Sequence, residues 1–94
     1  MIKVPGAGRT WDEMKADVPV GTRLDGTVKL IVYFGLWIDA GLGFTCLMLI
    51  PECGVDRGIS LFDAFAVEQR IVGDVIWHND RDQQINLSRR NITG

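Results

Sequence analysis

Residues 26–39 read Gly-Thr-Val-Lys-Leu-Ile-Val-Tyr-Phe-Gly-Leu-Trp-Ile-Asp, and no other stretch of the chain restricts its fold so strongly. Leu24, Val28, Leu30 and Val32 alternate with Asp25, Thr27, Lys29 and Tyr33, the period of a half-buried strand. After Gly35 the pattern resumes, Leu36 and Ile38 alternating with Trp37 and Asp39. Two strands joined at an aromatic-flanked glycine are expected, one face building a core and the other showing Phe34 and Trp37. Large rings on the open face of a small sheet offer a surface on which flat ligands, nucleobases above all, stack.

The flanking sequence supplies further elements of the same size. Thr10 and Glu13 have capping-box spacing, and Trp11 and Met14 fall three apart, so a short helix is expected to run to about Asp17 and plug an end or edge of the sheet. The first strand spans 22–33, long enough to bend and serve two parts of a sheet, with Gly26 at the bend. A second strand over 36–40, a turn at Gly41-Leu42-Gly43 and a third strand over 44–50, apolar on both faces, end at Pro51. Ser60 caps a single helical turn that carries Leu61, Phe62 and Phe65 inward. Strands over 70–77 and 84–88 follow, joined by the charged turn His78-Asn79-Asp80-Arg81-Asp82. The expected class is all-β: a five-stranded OB-fold Greek-key barrel with a short helix between strands three and four and a short N-terminal helix. Residues 1–19 are expected to form an N-terminal extension, beginning as a loose leader around Pro5, Gly6 and Gly8, and residues 20–94 the barrel domain.

Composition narrows the function. Ninety-four residues suffice for one core without disulfides, and 47 % apolar with 23 % charged residues is ordinary for a globular domain. The net charge of −2, with Lys and Arg scattered and only Arg89 and Arg90 adjacent, argues against binding driven chiefly by phosphate neutralisation. Cys46 and Cys53 lack a second pair and sit in or beside an apolar run, so they read as buried free thiols of a reducing compartment rather than a metal site or disulfide. No apolar stretch follows Lys3 and residues 44–51 are too short to span a bilayer, so no secretion signal or membrane segment is expected and the location is cytoplasmic by default. One histidine, with no paired-carboxylate, metal or Ser-His-Asp pattern and no nucleotide loop, leaves no enzymatic chemistry and no cofactor to expect.

With its strands in this order, the run from Gly26-Thr-Val to Phe34-Gly-Leu-Trp-Ile-Asp39 resembles the first half of an S1 domain, an RNA-binding OB-fold module. Phe65-Ala-Val-Glu-Gln69 is similar to that family's Phe-x-Val-Gly-Gln segment, and Ile85-Asn-Leu-Ser88 matches its closing Ile-x-Leu-Ser. The resemblance covers about residues 20–90. It implies an RNA surface of two aromatics, a histidine, an aspartate and an arginine. Phe34 and Trp37 fill the aromatic positions; the histidine falls on Leu49, the glycine of the same segment on Cys46, the aspartate on Asp80 or Asn79, and the arginine on Gln84. The rings that stack are kept, while the groups that hydrogen-bond or neutralise phosphate are replaced at two positions.

Two functions follow. A small S1-like protein binds single-stranded RNA weakly through Phe34 and Trp37, with Lys29, Arg81, Asp80 or Asn79 at the rim and Arg89 or Arg90 as further phosphate contacts. Alternatively, a non-catalytic adaptor or regulatory protein uses the Phe34, Trp37 and Leu49 patch to hold another protein or a second copy of itself. The oligomeric state is open. The N-terminal segment or a partner subunit covering the two rings is the plain structural alternative. Trp77, in phase with Ile71 and Val75, is expected in the core, and His78 in solvent.

Overall fold

The computed structural model describes residues 9–92, so the expected leader around Pro5, Gly6 and Gly8 lies outside the described residues. Helix α1 (Trp11–Asp17) precedes strands β1 (Arg23–Val32), β2 (Gly35–Asp39) and β3 (Thr45–Leu49); a 3-10 turn (Ile50–Glu52), helix α2 (Leu61–Ala64), β4 (Arg70–Asn79) and β5 (Gln84–Ser88) follow. The five strands close into a barrel in the order β1-β2-β3-β5-β4, with β4 returning to β1. Among the described residues only the β3–β5 pair is parallel. This is the OB-fold barrel that the sequence predicts, with α2 between β3 and β4.

Closure depends on the bend in β1. Thr27 pairs with Asp39 of β2 on one side and with Arg70 of β4 on the other, so the strand changes partners at this point. Gly26 lies buried at the corner, where a Cβ would come 2.8 Å from the Asp39 carbonyl oxygen. Only glycine lets the two backbones approach this closely.

The core takes alternate residues from every strand: Val28, Leu36, Ile38, Cys46, Met48, Ile71, Val75, Ile85 and Leu87. Helix α1 completes it. Thr10 forms the expected capping box, its hydroxyl accepting from the Glu13 amide while the Glu13 carboxylate accepts from the Thr10 amide. That fixed start points Trp11 and Met14 into the core, and Trp11 meets Phe44 edge-on at 5.1 Å. Ser60 caps α2 as expected, and Leu61 and Phe65 are buried, but Phe62 faces solvent. A single turn has one inward face, and the residue after Leu61 points away from it.

Two β-bulges break the strand period and correct two further expectations. In β1 the register shifts between Val28 and Leu30, so Lys29 is the extra residue, Leu30 turns outward and Ile31 packs against the core in its place. In β4 the shift falls between Val75 and Trp77; Ile76 is the extra residue, and Trp77 is 57 % exposed rather than buried. The same strand runs on through Asn79, which draws His78 out of the expected turn. Its Nε2 lies 2.7 Å from the Val18 carbonyl and its ring stands edge-on to Trp11. His78 is therefore held rather than solvated.

Candidate nucleic-acid interface

Strand register lays out the barrel's outer face as rows of side chains. The central row crosses all five strands: Leu30 of β1 opposite Trp37, Trp37 opposite Leu47, Leu47 beside Asn86, and Asn86 opposite Trp77. The bulges put both ends of this row outside, because without them Leu30 and Trp77 fall in phase with the core. Toward the β1–β2 turn the adjoining row is Val32, Gly35 and Leu49. Toward the β4–β5 turn lie Thr45, Gln84 and Asn79, polar in every position.

Phe34 and Trp37 share this face at neighbouring levels. Phe34 sits in the β1–β2 turn, 39 % exposed, and its carbonyl accepts from the Ile50 amide at 2.9 Å, which ties the turn to the end of β3. Tyr33, 81 % exposed, meets the Phe34 ring edge-on at 5.2 Å. Trp37 is half-buried in the row below. Gly35 makes room between the two levels: a Cβ there would come 2.7 Å from the Met48 carbonyl oxygen and 3.3 Å from Leu47 Cδ1. Leu49 is exposed directly opposite Gly35, an apolar neighbour to the rings.

The polar residues around the rings are mostly engaged. Lys29 lies within 3.0 Å of Glu68, an ion pair open to solvent and therefore easily exchanged for another anion. Asp80 accepts from Trp11 Nε1 at 2.7 Å and from Lys15 Nζ at 2.8 Å. The Lys15 ammonium, and after it the Trp11 N–H, hold the Asp80 carboxyl below the usual carboxylate range. Asp80 thus fastens α1 to the last hairpin. Asn79 folds the same hairpin by bonding both the side chain and the amide of Asp82. Arg81 extends from it with no hydrogen bond or ion pair among the described residues. Gln84 is buried on the outer face between Thr45 and Asn79. Arg89 and Arg90 lie elsewhere, Arg89 over the Phe65 ring at 5.2 Å and Arg90 3.8 Å from Glu52.

Asn86, for which the sequence carries no signal, and Trp77, expected in the core, join this face. Asn86 is only 7 % exposed, its side chain makes no hydrogen bond among the described residues, and its Oδ1 is buried without a partner. A buried unpaired acceptor costs about 1–3 kcal/mol. Tyr33 was available from sequence, adjoining Phe34 in the same turn; Trp77 was hidden by the bulge at Ile76.

The thiols of Cys46 and Cys53 are free and buried, with burial pushing them up to about 12 and about 11 respectively. Among the described residues no group of three His, Cys, Asp or Glu side chains is placed to hold a metal ion, and no helix is long and apolar enough to cross a membrane.

No family sequence profile and no curated protein sequence matches the chain. Solved structures do. A chain of the a/eIF2alpha–aDim2p–rRNA complex from Pyrococcus horikoshii OT3 is 28 % identical and superimposes with a TM-score of 0.69, over 79 % of this chain and 45 % of that one. GSP13 from Bacillus subtilis, 19 % identical, gives a TM-score of 0.68 over 77 % of this chain and 55 % of its own. The uncharacterized protein MJ1198 from Methanocaldococcus jannaschii, also 19 % identical, matches at 0.63 over 77 % of this chain and 92 % of that chain. The chain therefore spans about half the length of the first two structures it matches. With the closed five-stranded barrel and the ordered motifs from Gly26 to Ser88, these likenesses identify the fold as that of a divergent S1-like OB-fold domain.

Proposed function

We propose that this chain binds single-stranded RNA weakly, on the outer face that carries Phe34 and Trp37, without catalysing a reaction. The observation that carries the reading is the pairing of Phe34, exposed in the β1–β2 turn, with the half-buried Trp37 one level below it on the same sheet face. Successive bases stack on such rings whatever their sequence, each stack contributing about 1–3 kcal/mol. The Pyrococcus horikoshii relative comes from a complex that contains rRNA, which supports the same ligand class here. Lys29, exchanging Glu68 for a phosphate, and the unpaired Arg81 supply the rim, with Asn79, Asp80 and Gln84 forming its polar floor. Within the extension we assign to residues 1–19, helix α1 packs against Phe44, His78 and Asp80 and so fastens to the barrel.

A chemical-shift titration with short oligoribonucleotides at low salt tests this. The Trp37 indole and the amides of 33–37 should move together; no response at millimolar ligand would remove the proposal. The exposed apolar cluster of Leu30, Leu49 and Ile50 beside the rings favours a second reading, a non-catalytic adaptor that holds a protein partner on the same face. Partner capture that survives nuclease and is lost in Trp37→Ala supports the adaptor, whereas nuclease-sensitive capture supports RNA.

A further inference from the structure

Resting on the RNA reading, we infer that Asn86 and Trp77 form a second base site on the same face, one that favours adenine. Trp77 presents a largely exposed ring, and it does so only because the bulge at Ile76 re-aims it. Bulges that redirect one side chain recur beside functional sites. From Trp37 to Trp77 the central row spans three strand intervals, about 14 Å of sheet surface. A single strand laid across the row meets two rings with Leu47 and Asn86 between them.

Asn86 gives the second ring its selectivity. Its neighbours in the core phase, Ile85 and Leu87, point inward, so the carboxamide belongs to the outer face between Leu47 and Trp77. Trp77, 57 % exposed, is the neighbour that turns aside for a base to reach the buried Oδ1. Its Oδ1 is already desolvated and has no protein partner, so a ligand donor that reaches it regains a hydrogen bond without displacing one. An asparagine amide pairs in bidentate fashion with adenine, accepting from its amino group and donating to a ring nitrogen. In a single strand that base edge is open. A merely structural asparagine at this position would be expected to bond the neighbouring backbone or Gln84, and it does neither.

The test is a titration of nitrogen-15-labelled protein with hexamers of adenylate and of uridylate, following the indole N–H signals of Trp37 and Trp77 in wild type, Asn86→Leu and Trp77→Ala. Both indoles should shift, and the adenylate hexamer should bind about tenfold more tightly than the uridylate one. Asn86→Leu should equalise the two ligands while the Trp37 signal still responds. Trp77→Ala, a change at an exposed side chain, should weaken adenylate more than uridylate. If Trp37 responds but Trp77 does not, or if Asn86→Leu keeps the adenine preference, the second site is wrong and the RNA reading stands. If neither indole responds to either hexamer, both are wrong.

Discussion

Single side chains decide what the outer face can do. Asn86 holds an unpaired buried oxygen, so replacing it with a leucine of similar size removes a penalty rather than an interaction. Asn86→Leu should therefore raise stability by about 1 kcal/mol, a Tm increase of about 4–8 °C for a chain of this length, read by thermal denaturation. An unchanged or lower Tm would show that the carboxamide has a partner after all. The two thiols give a second residue-scale prediction. Burial keeps Cys46 and Cys53 protonated in the folded state up to about 12 and about 11, while in the unfolded chain they ionise near the ordinary thiol value. Above that value the unfolded state binds fewer protons, so stability is intact at neutral pH and declines as pH rises from about 9 toward the folded values. Denaturation midpoints measured between neutral and alkaline pH should fall less in a Cys46→Ala, Cys53→Ala double variant than in wild type.

At the scale of elements, α1 and the two bulges matter most. Trp11 lies in the core, meets Phe44 and His78, and donates to Asp80. Trp11→Ala should cost about 3–5 kcal/mol in chemical denaturation, most of it from the vacated volume. Trp11→Phe should cost less, because it keeps the packing and loses mainly the N–H. A Trp11→Ala loss below about 1 kcal/mol would mean that α1 is not part of the core. Because Lys15 and Trp11 lower the Asp80 pKa, this tie contributes above the ordinary aspartate value and is lost as pH falls through the lowered one. Element order, the capping box, the bend at Gly26 and the inward phase of Leu36 and Ile38 were legible in sequence because each depends on near neighbours. Leu30, Trp77 and His78 were not, since a bulge adds one residue at a place set by the partner strand and reverses everything beyond it. The ring pair was legible as an adjacent motif, while the row that joins Trp37 to Asn86 exists only through β3 and β5, which are brought together by closure of the barrel.

For the whole molecule, charge bounds how the proposed RNA ligand would be held. The net charge is −2, Arg89 and Arg90 lie elsewhere, and among the described residues the proposed rim draws its cations from Lys29 and Arg81. Two phosphate contacts on a single strand give a slope of log K against log salt of about −1.4, far shallower than that of proteins that grip the backbone. A slope steeper than about −3 would place the binding surface on some other, more basic part of the chain. With electrostatics this small, stacking has to carry the affinity, and that makes one comparison decisive. Affinity for a short oligoribonucleotide should fall about 5- to 100-fold in Trp37→Ala while the circular dichroism and Tm stay close to wild type. Unchanged affinity in a folded Trp37→Ala protein would contradict the assignment of this face as the RNA-binding surface.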